Sequence, residues 1–278
     1  MTFAQELRLD RASPFNRPYA TEMTTLFKIA LTIAAIAAAT PVSAFEMCVE
    51  DQPLIPLANA GKEPRGYAEI LVKEAARNLG IAVTETVAPW VRCEKMMASG
   101  VYDAALNMTF AGKNPAIGVF PMTPAGTPDT DKSVGRYTSR LFRRIGSSAD
   151  MTDGIFVNTP KPVGIQAGYQ LHRELIQKAH WTVLEIPNDA NQMAEMLIGG
   201  RVDLLVGDYA VQRVVETKYK TLIEPLPSLF SDSVVYLVFS KKYYQANQDA
   251  IERLWAEIAR VRNSRAYKDE ISAIKFAE

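Results

Sequence analysis

The same helix-glycine-strand pattern occurs twice in the chain, one hundred residues apart. Segments 96–106 and 196–206 each resemble a helix that stops at Gly and is followed, through Asp, by a short apolar run. Gly tolerates the left-handed backbone that commonly ends a helix, and a short apolar run of this kind fits a buried strand. Because the rest of both halves follows the same plan, the sequence indicates two similar α/β halves.

Strands and helices alternate in both halves. The strands are predicted at 46–50, 81–87 and 102–107 in the first half, and at 163–167, 182–186 and 202–206 in the second. The helices are predicted at 67–79 and 91–98, and then at 170–179, 190–198 and 208–218, with Asn188 and Asp189 as capping candidates for the fourth. Such an order favours mostly parallel sheets covered by helices, and we expect one sheet for each half.

Two extended segments connect the halves. One covers 134–145, after a Pro- and Gly-rich stretch, and the other covers 233–240. The second is followed by an amphipathic helix near 247–262, which needs a sheet to cover. We therefore expect the chain to cross to a second lobe and return. The expected lobes are 45–140 with 234–278, and 141–233.

Residues 1–44 are predicted to be a leader with an export signal. Lys28 precedes the apolar stretch 29–39, and small residues at 42–44 form a cleavage site. A stretch of about eleven residues is too short to cross a bilayer, for which roughly twenty are needed. The mature protein would then begin at Phe45 as an exported protein without a membrane-spanning segment.

The charge balance indicates neither a nucleic-acid partner nor a membrane-surface partner. The chain has 31 basic and 31 acidic residues, which become 27 and 28 once the leader is removed. His172 and His180 lie on one predicted helix without Cys, Asp or Glu at a spacing that would complete a metal set. The sequence therefore predicts no metal site and no cofactor, and a surface or partly packed role for both histidines. Asp103 and Asp203, which precede buried strands in both copies, are predicted to serve turns.

The chain has two cysteines, Cys48 and Cys93, and both belong to the exported part. An oxidising compartment lets a disulfide persist, so we expect the two to be bonded. Closing a loop of about 45 residues stabilises a protein by roughly 4 kcal/mol in the chain-entropy model. The alternative, a Cys nucleophile, would need a free thiol and a nearby base.

Several short pieces follow one another at characteristic spacing along the mature chain. They are Asp51-Gln52-Pro53 with Gly66-Tyr67, Gly100-Val101-Tyr102-Asp103-Ala104, Asn107-Met108-Thr109, the run 163–169, Gly200-Arg201-Val202-Asp203 with Asp208, and Ser240-Lys241-Lys242. Their order resembles that of the bacterial extracellular solute-binding proteins of family 3, the polar-amino-acid type, over nearly all of 46–275. The resemblance implies a periplasmic binding protein-like type II fold, in which two α/β lobes joined by a two-strand hinge close on a ligand. It also implies a monomeric protein that is not an enzyme and delivers a small molecule to an ABC transporter permease.

The resemblance places part of the ligand site in the second lobe. Asp208 stands where the family commonly binds a ligand's amino group, although Asp is also a preferred helix cap, and both roles are compatible. Gly168 and Tyr169 precede the helix 170–179, whose free backbone N–H groups could hold a carboxylate. Many relatives have Thr or Ser in place of Tyr169, so a larger or flatter ligand surface is expected here.

The segment 108–114 departs from the family pattern. Amino-acid binders usually have Thr-x-Thr-Pro-Glu-Arg there, and the Arg holds the α-carboxylate through two parallel hydrogen bonds. Lys113 could supply the charge but not this bidentate geometry, so a standard amino acid is a less favoured ligand. Arg92 could replace the missing Arg, with Trp90 as a wall of the site, or the two could be a solvated helix start and a core residue. Trp90, Arg92, Thr109 and Lys113 are the candidates from the first lobe.

Two other functions remain open from the sequence. Periplasmic dehydratase-like enzymes share this fold, and would need paired carboxylates or a His with a shifted pKa in the cleft. Accessory proteins of periplasmic quinoprotein dehydrogenases share it too, and begin with a Cys-x-Asp pattern that Cys48-Val49-Glu50-Asp51 matches loosely. The accessory role would require a partner protein instead of a free metabolite.

Overall fold

The computed structural model describes residues 44–187 and 189–276. The predicted leader therefore lies outside the described residues, apart from Ala44, and so does the capping candidate Asn188. No helix within the described ranges is long and apolar enough to cross a membrane.

Strands and helices alternate along most of the described chain. The strands are β1 (Ala44–Glu50), β2 (Ala82–Ala88), β3 (Ala104–Thr109), β4 (Gly118–Val119), β5 (Gly135–Arg144), β6 (Asp150–Thr152), β7 (Ile155–Val157), β8 (Val163–Gln166), β9 (Val183–Ile186), β10 (Leu204–Gly207) and β11 (Ile223–Ser240). The helices are α1 (Tyr67–Asn78), α2 (Trp90–Ala98), α3 (Asn114–Ile117), α4 (Gln170–Lys178), α5 (Ala190–Ile198), α6 (Tyr209–Val214), α7 (Lys241–Asn263) and α8 (Arg265–Ala273). A 3-10 turn covers Thr130–Lys132, and a π-helical turn, Val215–Tyr219, continues α6.

The strands form two parallel groups joined by two long antiparallel strands. β1 pairs with β2 and β3, while β8 pairs with β9 and β10, all in parallel. Between the groups, β11 lies antiparallel to both β3 and β5, and β5 lies antiparallel to β10. The expectation of two separate sheets is wrong, because β11 is long enough to pair with β5 and then with β3. The result is two α/β lobes on one continuous hydrogen-bonded path.

The buried apolar side chains fall into separate sets in the two lobes. Two clusters combine residues up to Tyr137 with residues from Val235 onward, and two others contain residues between Leu141 and Leu226. The first lobe is covered by α1 and α7. Apolar residues of α7 recur every three or four positions, and Trp255 donates its indole N–H to the carbonyl of Leu237 at 2.9 Å. The returning helix thus covers the first lobe, as expected.

The repeated Gly and Asp have the same role in both copies. Gly100 and Gly200 have φ of +70° and +66°, the left-handed backbone that ends a helix. Asp103 accepts a hydrogen bond from the backbone N–H of Glu46 at 2.9 Å, and Asp203 accepts one from that of Lys161 at 3.0 Å. Each carboxylate therefore ties the turn after a helix to the first strand of its own lobe or to the residues just before it.

Cys48 and Cys93 form a disulfide, as the sequence predicts. The bond links β1 to α2, and both residues are fully buried. It links the helix that begins at Trp90 to the strand that ends at Glu50. The disulfide therefore restricts the positions of these two residues relative to each other.

Candidate functional site

Polar and aromatic side chains meet where the parallel strands of the two lobes end. β1 ends at Glu50 and β3 at Thr109 in the first lobe, while β8 ends at Gln166 and β10 at Gly207 in the second. In α/β proteins the carboxyl ends of parallel strands are the usual place for a ligand. The candidate site lies at this edge, between the lobes.

Glu50 lies at the centre of the contact between the lobes. Its side chain accepts a hydrogen bond from the amide nitrogen of Gln166 and another from the hydroxyl of Tyr169, which lies 2.7 Å from Oε2. The pKa of Glu50 is raised to about 8, chiefly by burial and to a smaller extent by the charges of Asp208 and Asp51, while its two hydrogen-bond donors oppose the shift. At neutral pH the carboxyl therefore retains its proton in most molecules.

Asp208 is a second buried carboxyl group in this region. It is the N-cap of α6, and its Oδ1 accepts a hydrogen bond from the backbone N–H of Ala210 at 3.0 Å. Burial raises the pKa of Asp208, while hydrogen bonds from the backbone of Ala210 and Val211 oppose that shift. The capping role expected from the sequence is confirmed, and the carboxyl group also lines a cavity.

Three aromatic rings, those of Trp90, Tyr137 and Tyr169, line the candidate site together with Glu50. Tyr169 contacts Trp90 and Tyr137 edge to face, with ring centroids 6.4 Å and 5.9 Å apart. The indole N–H of Trp90 donates to the carbonyl of Gly168 at 3.3 Å, across the cleft. Gly168 has φ of +86°, and a Cβ there would lie 3.0 Å from the Trp90 ring, so a side chain at this position would force the lobes apart.

A cavity of about 520 Å³, measured out to its open mouth, lies beside these rings. Both lobes contribute to its lining, which consists of Glu50, Leu54, Ala58, Trp90, Leu106, Asn107, Thr109, Asn114, Tyr137, Tyr169, Gln170 and Leu171. We call it the first cavity. Most of its walls are apolar or aromatic, and Glu50 is its one ionisable acid among the described residues.

Three polar atoms of the first cavity are buried without a hydrogen-bond partner among the described residues. They are the side-chain oxygens of Asn107 and Asn114 and the hydroxyl of Tyr137. Asn107 has φ of +62°, a left-handed conformation that Asn tolerates better than most residues. The amide nitrogen of Asn114 donates to the carbonyl of Thr109 at 3.0 Å, which leaves its side-chain oxygen as an acceptor. Buried acceptors of this kind usually have partners, so the cavity is suited to a donor.

A second, more polar cavity of about 540 Å³ lies on the side of Asp208. Leu54 and Tyr137 line both cavities, and Arg136 and Arg140 line the second. Arg136 forms an ion pair with Asp232 at 2.9 Å, and Arg140 donates to the carbonyl of Pro227 at 2.7 Å.

Two other first-lobe candidates, Arg92 and Lys113, are not among the described residues that line either cavity. Lys113 forms an ion pair with buried Glu94 at 3.1 Å, and its side chain is 55% exposed. Arg92 is exposed on α2 and is not among the described residues that line either cavity. The expectation that Lys113 or Arg92 replaces the missing Arg therefore stays a prediction.

Sequence reasoning missed several residues of the cleft, above all Glu50, Gln166 and Tyr137. Glu50 is the last residue of a predicted strand, and Gln166 is the last but one. That position at the carboxyl end of a parallel strand was the available signal. His172 was expected to be exposed or partly packed, but it is only 2% exposed and lies against Tyr137 and Tyr169.

Comparison with known proteins identifies the fold. No protein-family model matches the sequence, and no curated protein matches it. Among solved structures, a histidine kinase sensor domain with similarity to periplasmic binding proteins aligns with TM-score 0.62 and 15% identity over 83% of this chain and 94% of that one. An ancestral arginine-binding protein bound to arginine aligns with TM-score 0.60 and 16% identity over 82% and 96%. A ligand-binding core from Nostoc punctiforme in complex with L-glutamate aligns with TM-score 0.57 and 12% identity over 81% and 96%. The chain thus has the periplasmic binding protein-like fold of two α/β lobes.

Proposed function

We propose that the mature chain is a periplasmic solute-binding protein that captures a small polar metabolite between its lobes for an ABC transporter. The observation that carries this proposal is the contact of Glu50 with Gln166 and Tyr169 beside the first cavity. These hydrogen bonds join residues of different lobes, so they form only when the lobes close. A buried acid of this kind, among aromatic rings, is typical of a ligand site.

The separation of the buried clusters supports lobes of 45–140 with 234–278, and 141–233. The proposed ligand contacts are Glu50, Trp90, Thr109, Gly168, Tyr169 and Asp208. The structural relatives that hold arginine and glutamate support a ligand of that size and polarity. The predicted leader supports a periplasmic location, and the proposed protein acts as a monomer and catalyses no reaction.

Thermal unfolding of the mature protein, residues 45–278, tests the proposal. The library contains amino acids, amines, organic acids and sugars. A ligand at about 100 times its dissociation constant adds roughly 2.7 kcal/mol to the free energy of unfolding. For a protein of this size that shift is about 5–10 °C. We expect such a shift for at least one class of compound, and no shift across the whole library would contradict the proposal.

The transporter role needs a separate test in cells. Uptake of the radiolabelled ligand is measured in a strain that lacks this protein, with and without a plasmid copy. We expect uptake to require the plasmid copy. Equal uptake in both strains would leave a binding protein without a transport role, as in a sensor.

A further inference from the structure

We infer that the ligand is an organic cation with several N–H donors, an amine or a guanidinium, whose charged group enters the first cavity against Glu50 and needs no carboxylate. The inference rests on the proposed function, because it names the class of solute that the same cleft would hold. It follows from the acceptors, the aromatic faces and the charges that line the first cavity.

Buried oxygens of the first cavity favour a ligand that donates hydrogen bonds. The side-chain oxygens of Asn107 and Asn114 and the hydroxyl oxygen of Tyr137 are buried at the first cavity without partners among the described residues. Leaving a buried acceptor unpaired costs about 1–3 kcal/mol, so a ligand that donates to it recovers free energy. An ammonium or guanidinium group has donors and no acceptors, and it can supply several hydrogen bonds at once.

The aromatic rings of the first cavity favour a positively charged ligand. Trp90, Tyr137 and Tyr169 all line the first cavity, and their rings contact one another edge to face. The face of an aromatic ring carries partial negative charge and attracts a cation within about 6 Å of its centre. A cation that reaches the face of one of these rings, beside the acid, is favoured over a neutral sugar or an anion.

The charged residues of the two cavities also favour a cation in the first. No Lys or Arg is among the described residues that line the first cavity, where Glu50 is the acid. Arg136 and Arg140 line the second cavity instead, and both donate to protein oxygens. A carboxylate in the first cavity would meet the acid Glu50 and the unpaired side-chain oxygens of Asn107 and Asn114, with the hydroxyl of Tyr137 as an unpaired donor. The carboxylate of an amino acid is therefore disfavoured relative to a cation at this position.

The protonation of Glu50 gives this site a second property, which is the release of a proton when a cation binds. Its pKa is raised to about 8, chiefly by burial, with Asp208, Asp51, Tyr169 and Tyr137 as the neighbouring titratable groups. A cation beside the carboxyl group favours the charged form and lowers that pKa. At pH 7 the binding of a cation therefore releases a proton from Glu50 to the buffer.

Matched compounds separate the charge from the carboxylate. Thermal unfolding and calorimetry are run with agmatine, arginine, citrulline, putrescine and glutamate. Agmatine is arginine without its carboxylate, and citrulline is arginine without its positive charge. We expect agmatine or putrescine to bind at least as tightly as arginine, and citrulline and glutamate to bind roughly 10- to 100-fold more weakly than the cations.

Variants place the cation at Glu50. Glu50→Gln keeps the size of the side chain and removes the charge, so we expect it to weaken binding of the cation roughly 10- to 100-fold. It should also abolish the proton release, measured as the dependence of binding enthalpy on the ionisation enthalpy of the buffer. Glu252→Gln is the control. Glu252 also accepts a hydrogen bond from a tyrosine hydroxyl, that of Tyr244 at 2.9 Å, but outside the cleft.

The outcomes distinguish this inference from the proposed function. Binding of glutamate, citrulline or sugars without binding of the carboxylate-free cations would overturn the inference and keep the solute-binding function. Tight binding of arginine with no binding of agmatine or putrescine would also overturn it. Absence of any ligand across the full library would overturn both.

Discussion

The hydroxyl of Tyr169 donates a hydrogen bond of 2.7 Å to the carboxyl group of Glu50, and the two residues belong to different lobes. Residue 50 ends the first strand of one lobe, while residue 169 precedes the first long helix of the other. Under the proposed function, this contact would couple closure of the cleft to the protonation of Glu50.

Tyr169→Phe removes that donor and leaves an oxygen of Glu50 buried without it. We expect the free energy of unfolding to fall by about 1–3 kcal/mol. The loss should be larger at pH 9 than at pH 6, because the hydroxyl lowers the pKa of Glu50 and thus favours its charged form. Urea unfolding at both pH values measures the effect.

Tyr219→Phe is the matched control for that variant. The hydroxyl of Tyr219 donates to Glu195 at 3.2 Å on the exposed surface. We expect a change below about 0.5 kcal/mol, as for most surface substitutions. Equal losses of unfolding free energy for the two variants would show that the contact between the lobes contributes no more to stability than a surface hydrogen bond does.

Glu50 should make the protein less stable as the pH rises. The pKa of the folded state, about 8, lies above the ordinary value of 4.5, so the folded state binds the proton more tightly than the unfolded state does. The free energy of unfolding then falls between about pH 4.5 and pH 8, by at most about 5 kcal/mol. Glu50→Gln should remove this dependence and be more stable than the wild type at pH 8. A wild-type profile that rises through this range, with no difference in the variant, would contradict the assignment.

His172 should make the protein less stable as the pH falls. Both its ring nitrogens are buried without a partner among the described residues, and burial lowers its pKa from 6.5 to about 3. The unfolded state therefore binds the proton first, and stability falls as the pH drops from about 6.5 towards 3. His172→Phe should reduce the loss of stability between pH 7 and pH 4.

His180→Asn provides the control for the histidine. His180 is exposed and has φ of +56°, a conformation that Asn also adopts readily. Its replacement should leave the acid profile of the wild type unchanged. If the two variants gave the same profile, burial of His172 would not be the cause.

Removal of the disulfide should cost much of the stability. Cys48 and Cys93 close a loop of 45 residues. The double variant Cys48→Ala and Cys93→Ala is expected to lose about 4 kcal/mol of unfolding free energy in the chain-entropy model. Chemical unfolding of the variant is compared with that of the oxidised wild type, and with the wild type in the presence of a reductant. A loss under about 1 kcal/mol would contradict the entropic account.

Some short-range features of the fold could be predicted from the sequence. Helix α5 was predicted at 190–198 and occupies those residues, because a cap, an apolar period and a terminal Gly agree there. β11 was predicted from 233 but begins at Ile223. Pro225 and Pro227 lack the N–H of a regular ladder, so this stretch has no regular strand pattern, although the strand continues there through irregular pairing.

Long-range contacts were not readable in the same way. Glu50 and Gln166 are 116 residues apart, and no local pattern brings them together. The sequence placed Trp90, Tyr169 and Asp208 near the cleft through a family resemblance. The role of Glu50, which accepts a hydrogen bond from Tyr169, emerged only when the two lobes were positioned in space. The 3-residue strands β6 and β7 were missed as well, because such short segments carry little periodicity. The terminal helix α8 was also missed.

A crystal structure of residues 45–278 with the compound that gives the largest thermal shift tests the central claim most directly. The account predicts electron density for the compound in the first cavity, in contact with Glu50 and with side chains of both lobes. Density for the compound on an outer surface, with the cleft between the lobes unoccupied, would contradict it.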